Sequence, residues 1–169
     1  FSATRLEADE GVGYAIDITD RKRAEASRRA TEAEFRAMFE LSSVGQCQVA
    51  LATGTVVRAN LRFCQMVGYA ADELARMRLE SLVHPEDRPA ALAMLGQLVE
   101  GRLQESTLES RLVRADGGVV WVEGNVTVMR DEHGAPVRMA AILRDVSAQK
   151  QTEHALAESR ERLRLILES

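Results

Sequence analysis

The sequence predicts an α+β fold: a five-stranded antiparallel sheet with short helices on one face and a long helix at either end. Three observations carry this. The last third alternates with period two, placing Val120, Val122, Gly124, Val126 and Val128 on one face and Trp121, Glu123, Asn125, Thr127 and Met129 on the other. The middle breaks into short helical stretches at Gly68 and at the His84–Pro85 step. Positions 20–41 and 147–169 hold neither glycine nor proline and are rich in helix formers.

Taken in order, Gly13-Tyr14-Ala15-Ile16 reads as a strand ahead of the first long helix. Val44 to Leu51 and Thr55 to Ala59 read as strands joined by the turn Ala52-Thr53-Gly54. A helix over Asn60 to Val67 follows, then a turn of helix near Asp72 to Met77, then a longer helix from Pro85 to Val99 that ends near Gly101. Proline suits the first turn of that helix, and Glu86 and Asp87 suit the positive end of its dipole. Leu108, Ser110 and Leu112 alternate with Glu109, Arg111 and Val113 on the next strand, and Asp116-Gly117-Gly118 is a hairpin turn. The turn Asp131-Glu132-His133-Gly134 leads to a final strand, Val137 to Asp145. Ser147 then stands where its hydroxyl can cap the last helix.

The chain also repeats itself. The segment from Asp17 aligns without a gap on the segment from Asp145, 128 positions later, with identities at Asp17/Asp145, Lys22/Lys150, Glu25/Glu153, Arg36/Arg164 and Glu40/Glu168. Conservative exchanges stand at Ile18/Val146, Thr19/Ser147, Thr31/Ser159, Phe35/Leu163, Met38/Ile166 and Phe39/Leu167. Each copy runs apolar strand, Asp-x-Thr/Ser, charged helix. A period this long exceeds any solenoid unit, so each copy marks a whole domain with its linker helix. On the second helix Thr152, Leu156, Ser159, Leu163 and Ile166 are spaced 4, 3, 4, 3, a heptad stripe. Ala24, Arg28, Thr31, Phe35 and Met38 stand at the equivalent places of the first, where Arg28 weakens the stripe.

Composition narrows the function. Lys and Arg number 22 against 26 Asp and Glu, so net charge is −4 and no basic footprint for a nucleic acid exists. No apolar run approaches the ~18–20 residues of a membrane span, so no membrane contact is expected. Cys47 and Cys64 show no metal-ligand spacing, which fits a reducing, cytoplasmic setting.

Residues 60–75, NLRFCQMVGYAADELA, together with LVHPEDR at 82–88, RLVRADGGVVWVEG at 111–124 and ILRDVSAQK at 142–150, resemble, in order and spacing, four motifs of the PAS domain family of sensory modules. The resemblance covers about 43–147. It implies residues 1–19 as the C-terminal strand and junction of a preceding PAS unit, 20–42 as a linker helix, 43–147 as the PAS domain, and 148–169 as an exit helix running into a following unit. It further implies a cavity under the sheet and flanking helices that dimerise and pass a signal to an output domain, most naturally of a bacterial sensor histidine kinase. The alternative readings are a small-molecule or cofactor (haem or flavin) binding sensor domain of a diguanylate cyclase or phosphodiesterase, and a passive dimerisation spacer. Asp145-Val146-Ser147 matches the family's Asp-Ile-Thr junction, and Asp17 and Thr19 repeat it.

Expected cavity-lining residues are Val49, Val57, Met66, Leu92, Leu112, Val126 and Ile142. The expected signal junction is Asp145 with Ser147 and Asp17 with Thr19. The expected homodimer and coiled-coil contacts are Phe35, Met38, Trp121, Leu156, Leu163 and Ile166. No cofactor or metal is called for, and a small ligand stays unidentified. Asn60 to Gln65 is similar to the flavin photoreceptor stretch Asn-Cys-Arg-Phe-Leu-Gln, but Leu61 holds the cysteine's place. His84, His133 and His154 read as helix start, turn and exit helix, not as haem ligands, and His154 lacks the acidic and proline neighbours of a phosphoacceptor. His84, Glu86 and Asp87 together read as a helix start rather than a metal cluster. With no catalytic constellation, the chain itself reads as a non-enzyme.

Overall fold

A computed structural model describes residues 3–8, 11–16 and 18–168, of which 3–8 and 11–16 are described by their backbone. Asp17 of the expected first junction lies outside the described residues. The chain divides into two units, Phe1–Phe39 and Glu40–Ser169.

In the first unit β1 (Ala3–Ala8) and β2 (Gly11–Ile16) form an antiparallel hairpin with Ala3 opposite Ile16 and Ala8 opposite Gly11. The strand ending at Ile16 is the one expected; its partner β1 was not. Thr19 opens α1 (Thr19–Glu40). Its solvent face carries Arg21–Glu25 and Arg28–Glu32 ion pairs at 3.3 and 2.9 Å, the i,i+4 spacing that supports an exposed helix.

The second unit is built on β3 (Gly45–Ala50), β4 (Val56–Ala59), β5 (Glu105–Val113), β6 (Val119–Arg130) and β7 (Pro136–Asp145), in the spatial order β4-β3-β7-β6-β5 with every pair antiparallel. Between β4 and β5 the chain forms α2 (Leu61–Val67), α3 (Ala71–Leu74), α4 (Leu79–Leu82), a 3₁₀ turn at Pro85–Asp87 and α5 (Arg88–Val99). The long helix expected from Pro85 is thus a 3₁₀ turn followed by an α-helix. α4 was not expected, since four residues are too few to show a period.

Asn60 fixes the start of the helical region. Its Oδ1 accepts from Phe63 N and Gln46 N, both at 2.9 Å, and its Nδ2 donates to Val44 O at 3.0 Å. One fully buried side chain therefore caps α2 and ties it to β3. Gly68 ends α2 at φ 78°, a conformation that favours glycine.

The core lies between the helices and one face of the sheet, where Val49, Leu112, Val120, Val122, Val126, Met139, Ala141 and Leu143 are buried with Phe63, Met66, Leu74, Leu82 and Leu98. Gly124 sits on the same face at the tightest crossing of β6 and β7: a Cβ there would collide with the Ile142 carbonyl oxygen and lie 2.9 Å from Leu143 Cα. Two expected cavity residues are corrected. Ile142, 51% exposed, points to the outer face, because the buried set on β7 is Met139, Ala141 and Leu143 and a shift of one residue reverses the face. Val57, 45% exposed, is the extra residue of a β-bulge: Gln48 pairs with Arg58 and Val49 with Val56, leaving Val57 unpaired.

Candidate functional site: a cleft under the sheet and the exit junction

A cleft of about 790 Å³ opens between α5 and the inner face of the sheet. Its floor is Val49, Leu112, Val122, Val126, Met139, Ala141 and Leu143; Leu92, Met94 and Leu95 of α5 face it from the other side. Of the seven expected lining residues, Val49, Leu92, Leu112 and Val126 line it, with Leu92 55% exposed at the mouth. Met66 is buried in the core and does not line the cleft, nor do the exposed Val57 and Ile142. Cys47, also on the wall, is buried, and burial pushes its thiol up to about 12, so it is a neutral apolar group. Burial, helped by the Glu40 carboxylate, raises the Cys64 thiol as well.

α5 is pinned at both ends. Arg88 Nε donates to Val83 O at 3.1 Å, and Arg130 Nη2 donates to the Leu98 and Val99 carbonyls at 3.0 and 2.9 Å, satisfying the last turn of the helix.

The lip of the cleft is joined to the edge strand β5 through Asp87. The Asp87 carboxylate accepts from Arg111 Nη2 at 2.6 Å, Arg111 Nε at 3.1 Å and the Arg111 backbone N–H at 2.8 Å, and the His84 N–H donates to Arg111 O at 2.9 Å. The backbone of Arg111 on the sheet edge is thereby closed by two groups of the 3₁₀ turn region. Hydrogen bonding from Arg111 holds the Asp87 carboxyl down at about 2, and Asp87 and Glu86 raise the Arg111 guanidinium in turn. Glu86 Oε2 accepts a further bond from Arg111 Nη2 at 2.9 Å.

From Arg111 the arrangement continues across the outer face to the last helix. Arg111 and Lys150 both stand over the Trp121 ring, each 5.4 Å from its centroid, and Lys150 Nζ pairs with Glu109 at 2.8 Å. That hydrogen bond to Glu109 raises the Lys150 ammonium. Trp121, expected as an intersubunit contact, is half-buried beneath these two cations.

The exit helix α6 (Ser147–Leu167) is fastened to β6 by backbone bonds on both sides of Trp121. Val146 N donates to Trp121 O at 2.9 Å, and Trp121 N donates to Ser147 Oγ at 3.0 Å. Asp145 Oδ1 accepts from Ser147 N at 2.9 Å. The expectation that the Ser147 hydroxyl caps α6 is corrected: it accepts from β6, the N-cap residue Val146 supplies no side-chain cap, and the Ser147 N–H is met by Asp145 instead. Leu156, Leu163 and Ile166 are exposed along α6, as are Phe35 and Met38 along α1. From sequence Asp87 reads only as an acid at a helix start, Glu109 and Arg111 as one side of a strand's alternation and Lys150 as a position of the repeat; none of the four reads as a site residue, although Asp87 and Arg111 stand within the LVHPEDR and RLVRADGGVVWVEG stretches. Among the described residues no group of His, Cys, Asp and Glu side chains could hold a metal, and no helix is long and apolar enough to cross a membrane.

A family model described as PAS fold matches residues 56–143. The chain is 30% identical over 139 residues to the probable diguanylate cyclase DgcE of Escherichia coli K12, covering 82% of this chain and 12% of that protein. It is 25% identical over 134 residues to the sensor histidine kinase TmoS of Ectopseudomonas mendocina, covering 79% and 14%. The chain thus spans about an eighth of the length of these relatives. The PAS domain of an HTR-like protein from Haloarcula marismortui superimposes with a TM-score of 0.62 at 26% identity, covering 74% of this chain and 99% of that one. The four ordered motifs, the five-stranded sheet with its helical face and these likenesses agree: the chain belongs to the PAS fold family, as the sensory kind of domain that its signalling relatives carry.

Proposed function

We propose that this chain is the sensing and relay module of a larger cytoplasmic signalling protein, most naturally a bacterial sensor histidine kinase. In this reading the cleft under the sheet receives the stimulus. The Asp87–Arg111–Trp121–Lys150 arrangement carries its effect to α6, and paired α6 and α1 helices of a homodimer deliver it to an output domain. Phe35 and Met38 on α1 and Leu156, Leu163 and Ile166 on α6 form the intersubunit stripes, and Trp121 is a further intersubunit contact. Asp145 with Ser147 is the exit junction, and Asp17 with Thr19 is the corresponding junction of a preceding PAS unit that ends near residue 19.

The observation that carries the reading is the double anchorage of the exit helix on Trp121. Because Val146 and Ser147 bond to both backbone groups of one β6 residue, any movement of that residue is imposed on the first turn of α6. A rigid helix leaving such a junction has two discrete packings with its partner that a stimulus can rebalance.

Inserting one to seven residues after Ser147 in the complete signalling protein tests this. Output activity should rise and fall with the helical period of about 3.5 residues as the stripe rotates in and out of register. A flat response to insertion length would leave the module as a passive spacer.

The 30% identity to a probable diguanylate cyclase favours a second reading of the output, cyclic dinucleotide synthesis in place of phosphotransfer. The coding sequence that follows Ser169 tells the two apart, by a kinase phosphoacceptor helix or by a cyclase domain.

A further inference from the structure

The charges around the cleft are not evenly paired. Glu80 lies 3.7 Å from Arg78, Glu86 and Asp87 are bound by Arg111, and Glu109 is bound by Lys150, so each carboxylate lining the cleft has a cation. Arg88, which also lines it, makes no ion pair among the described residues; its Nε reaches the Val83 carbonyl and nothing anionic. Arg88 as a whole residue is half-buried at the first position of α5, and it lines the apolar chamber. A guanidinium without an anionic partner beside apolar surface is a strong recognition element for a carboxylate, because its planar fork offers several donors that pair two at a time with the carboxylate oxygens.

Deeper in, the chamber offers little to a polar group. Its floor is valine, leucine, methionine and alanine, and the one buried hydroxyl there, Ser110, points its Oγ at Asp87 Oδ2, 3.4 Å away. A second charge on the ligand would lie there without a partner, at a substantial desolvation cost. The volume of about 790 Å³ suits an extended or ring-bearing organic body.

We propose that the cleft binds an apolar monocarboxylate, its apolar body on the sheet floor under α5 and its carboxylate on Arg88 at the mouth. This rests on the reading of the cleft as the sensing site, and it adds the ligand's class and the residue that selects it.

The test uses the full 169-residue chain and two probes of equal length, decanoate and 1-decanol, titrated calorimetrically below their aggregation concentrations. Decanoate should bind one per chain, about tenfold or more tighter than decanol, the advantage of a charge-assisted bond. Arg88→Gln should bring decanoate down to the level of decanol, and Arg88→Lys should keep part of the preference, which guards against a merely structural effect of the glutamine. Equal binding of the two probes to the unmodified chain would overturn the carboxylate assignment while leaving the cleft as a binding site. A preference that survives Arg88→Gln would overturn the role of Arg88. Binding of neither probe would overturn the monocarboxylate assignment, whereas the reading beneath it is tested separately by the insertion series after Ser147.

Discussion

Asp87 shows how one side chain can serve both the edge of a sheet and the mouth of a cleft. Its carboxylate accepts from the Arg111 side chain and backbone, and that bonding holds it ionised down to about pH 2. In an unfolded chain the same carboxyl titrates near 3.9. Its contribution to stability is therefore complete above that value and is lost as pH falls through about 2. Solvent at this partly open pair limits the contribution to about 1 kcal/mol. Asp87→Asn should accordingly cost about that much in urea unfolding at pH 7, and the gap from the unmodified chain should close between pH 4 and pH 2. An unchanged gap at pH 2 would show that the carboxylate's charge is not what matters. Asn60 stakes more, since its removal strands a capping site, the Gln46 N–H and the Val44 carbonyl in a buried place. Asn60→Ala should lower unfolding free energy by about 2–4 kcal/mol, measured by urea denaturation. At this scale the sequence was only partly legible. Asp87 reads as an acid at a helix start, and nothing local shows that its partner is Arg111, 24 positions on. Ile142 and Val57 read as inward because alternation gives a period, whereas its phase on β7 and the bulge on β4 are set by pairing with β3 and β6.

At the scale of elements the strands were the more legible part. β6 and β7 carry long alternations bounded by Gly-containing turns, and a half-buried sheet leaves that imprint. The helices between β4 and β5 were less so, because four-residue turns such as α3 and α4 complete barely one period and take their shape from neighbours: Leu79 N donates to Gly54 O at 2.9 Å, across from the β3–β4 turn. The close approach of β6 to β7 gives a sharp prediction. Gly124→Ala puts a methyl into the Ile142 carbonyl, and the backbone there has no flexible side chain to move aside. The substitution should destabilise by about 3 kcal/mol in urea unfolding, the upper range for overpacking. A loss below about 0.5 kcal/mol would mean that the two strands separate easily at this point.

At the scale of the whole chain, the segment from Asp17 aligns on the segment from Asp145 at an offset of 128 residues. That match was legible because it is a matter of identity and order along the chain. The meeting of Arg111, Trp121 and Lys150 was not, since it exists only once β5, β6 and α6 are assembled. The fold places an apolar cleft on one side of the sheet and a cation-covered tryptophan on the other, and it fastens the exit helix to that tryptophan's backbone. The proposed relay takes a second copy of the chain as its partner, with Leu156 and Leu163, exposed along α6, as the surface that would meet it. The mass of the 18.7 kDa chain in solution, by light scattering at high micromolar concentration, tests this most directly. A dimer is predicted, with Leu163→Arg returning the monomer while leaving the fold intact by circular dichroism. A monomer throughout that concentration range, or a dimer indifferent to Leu163→Arg, would contradict the proposed relay.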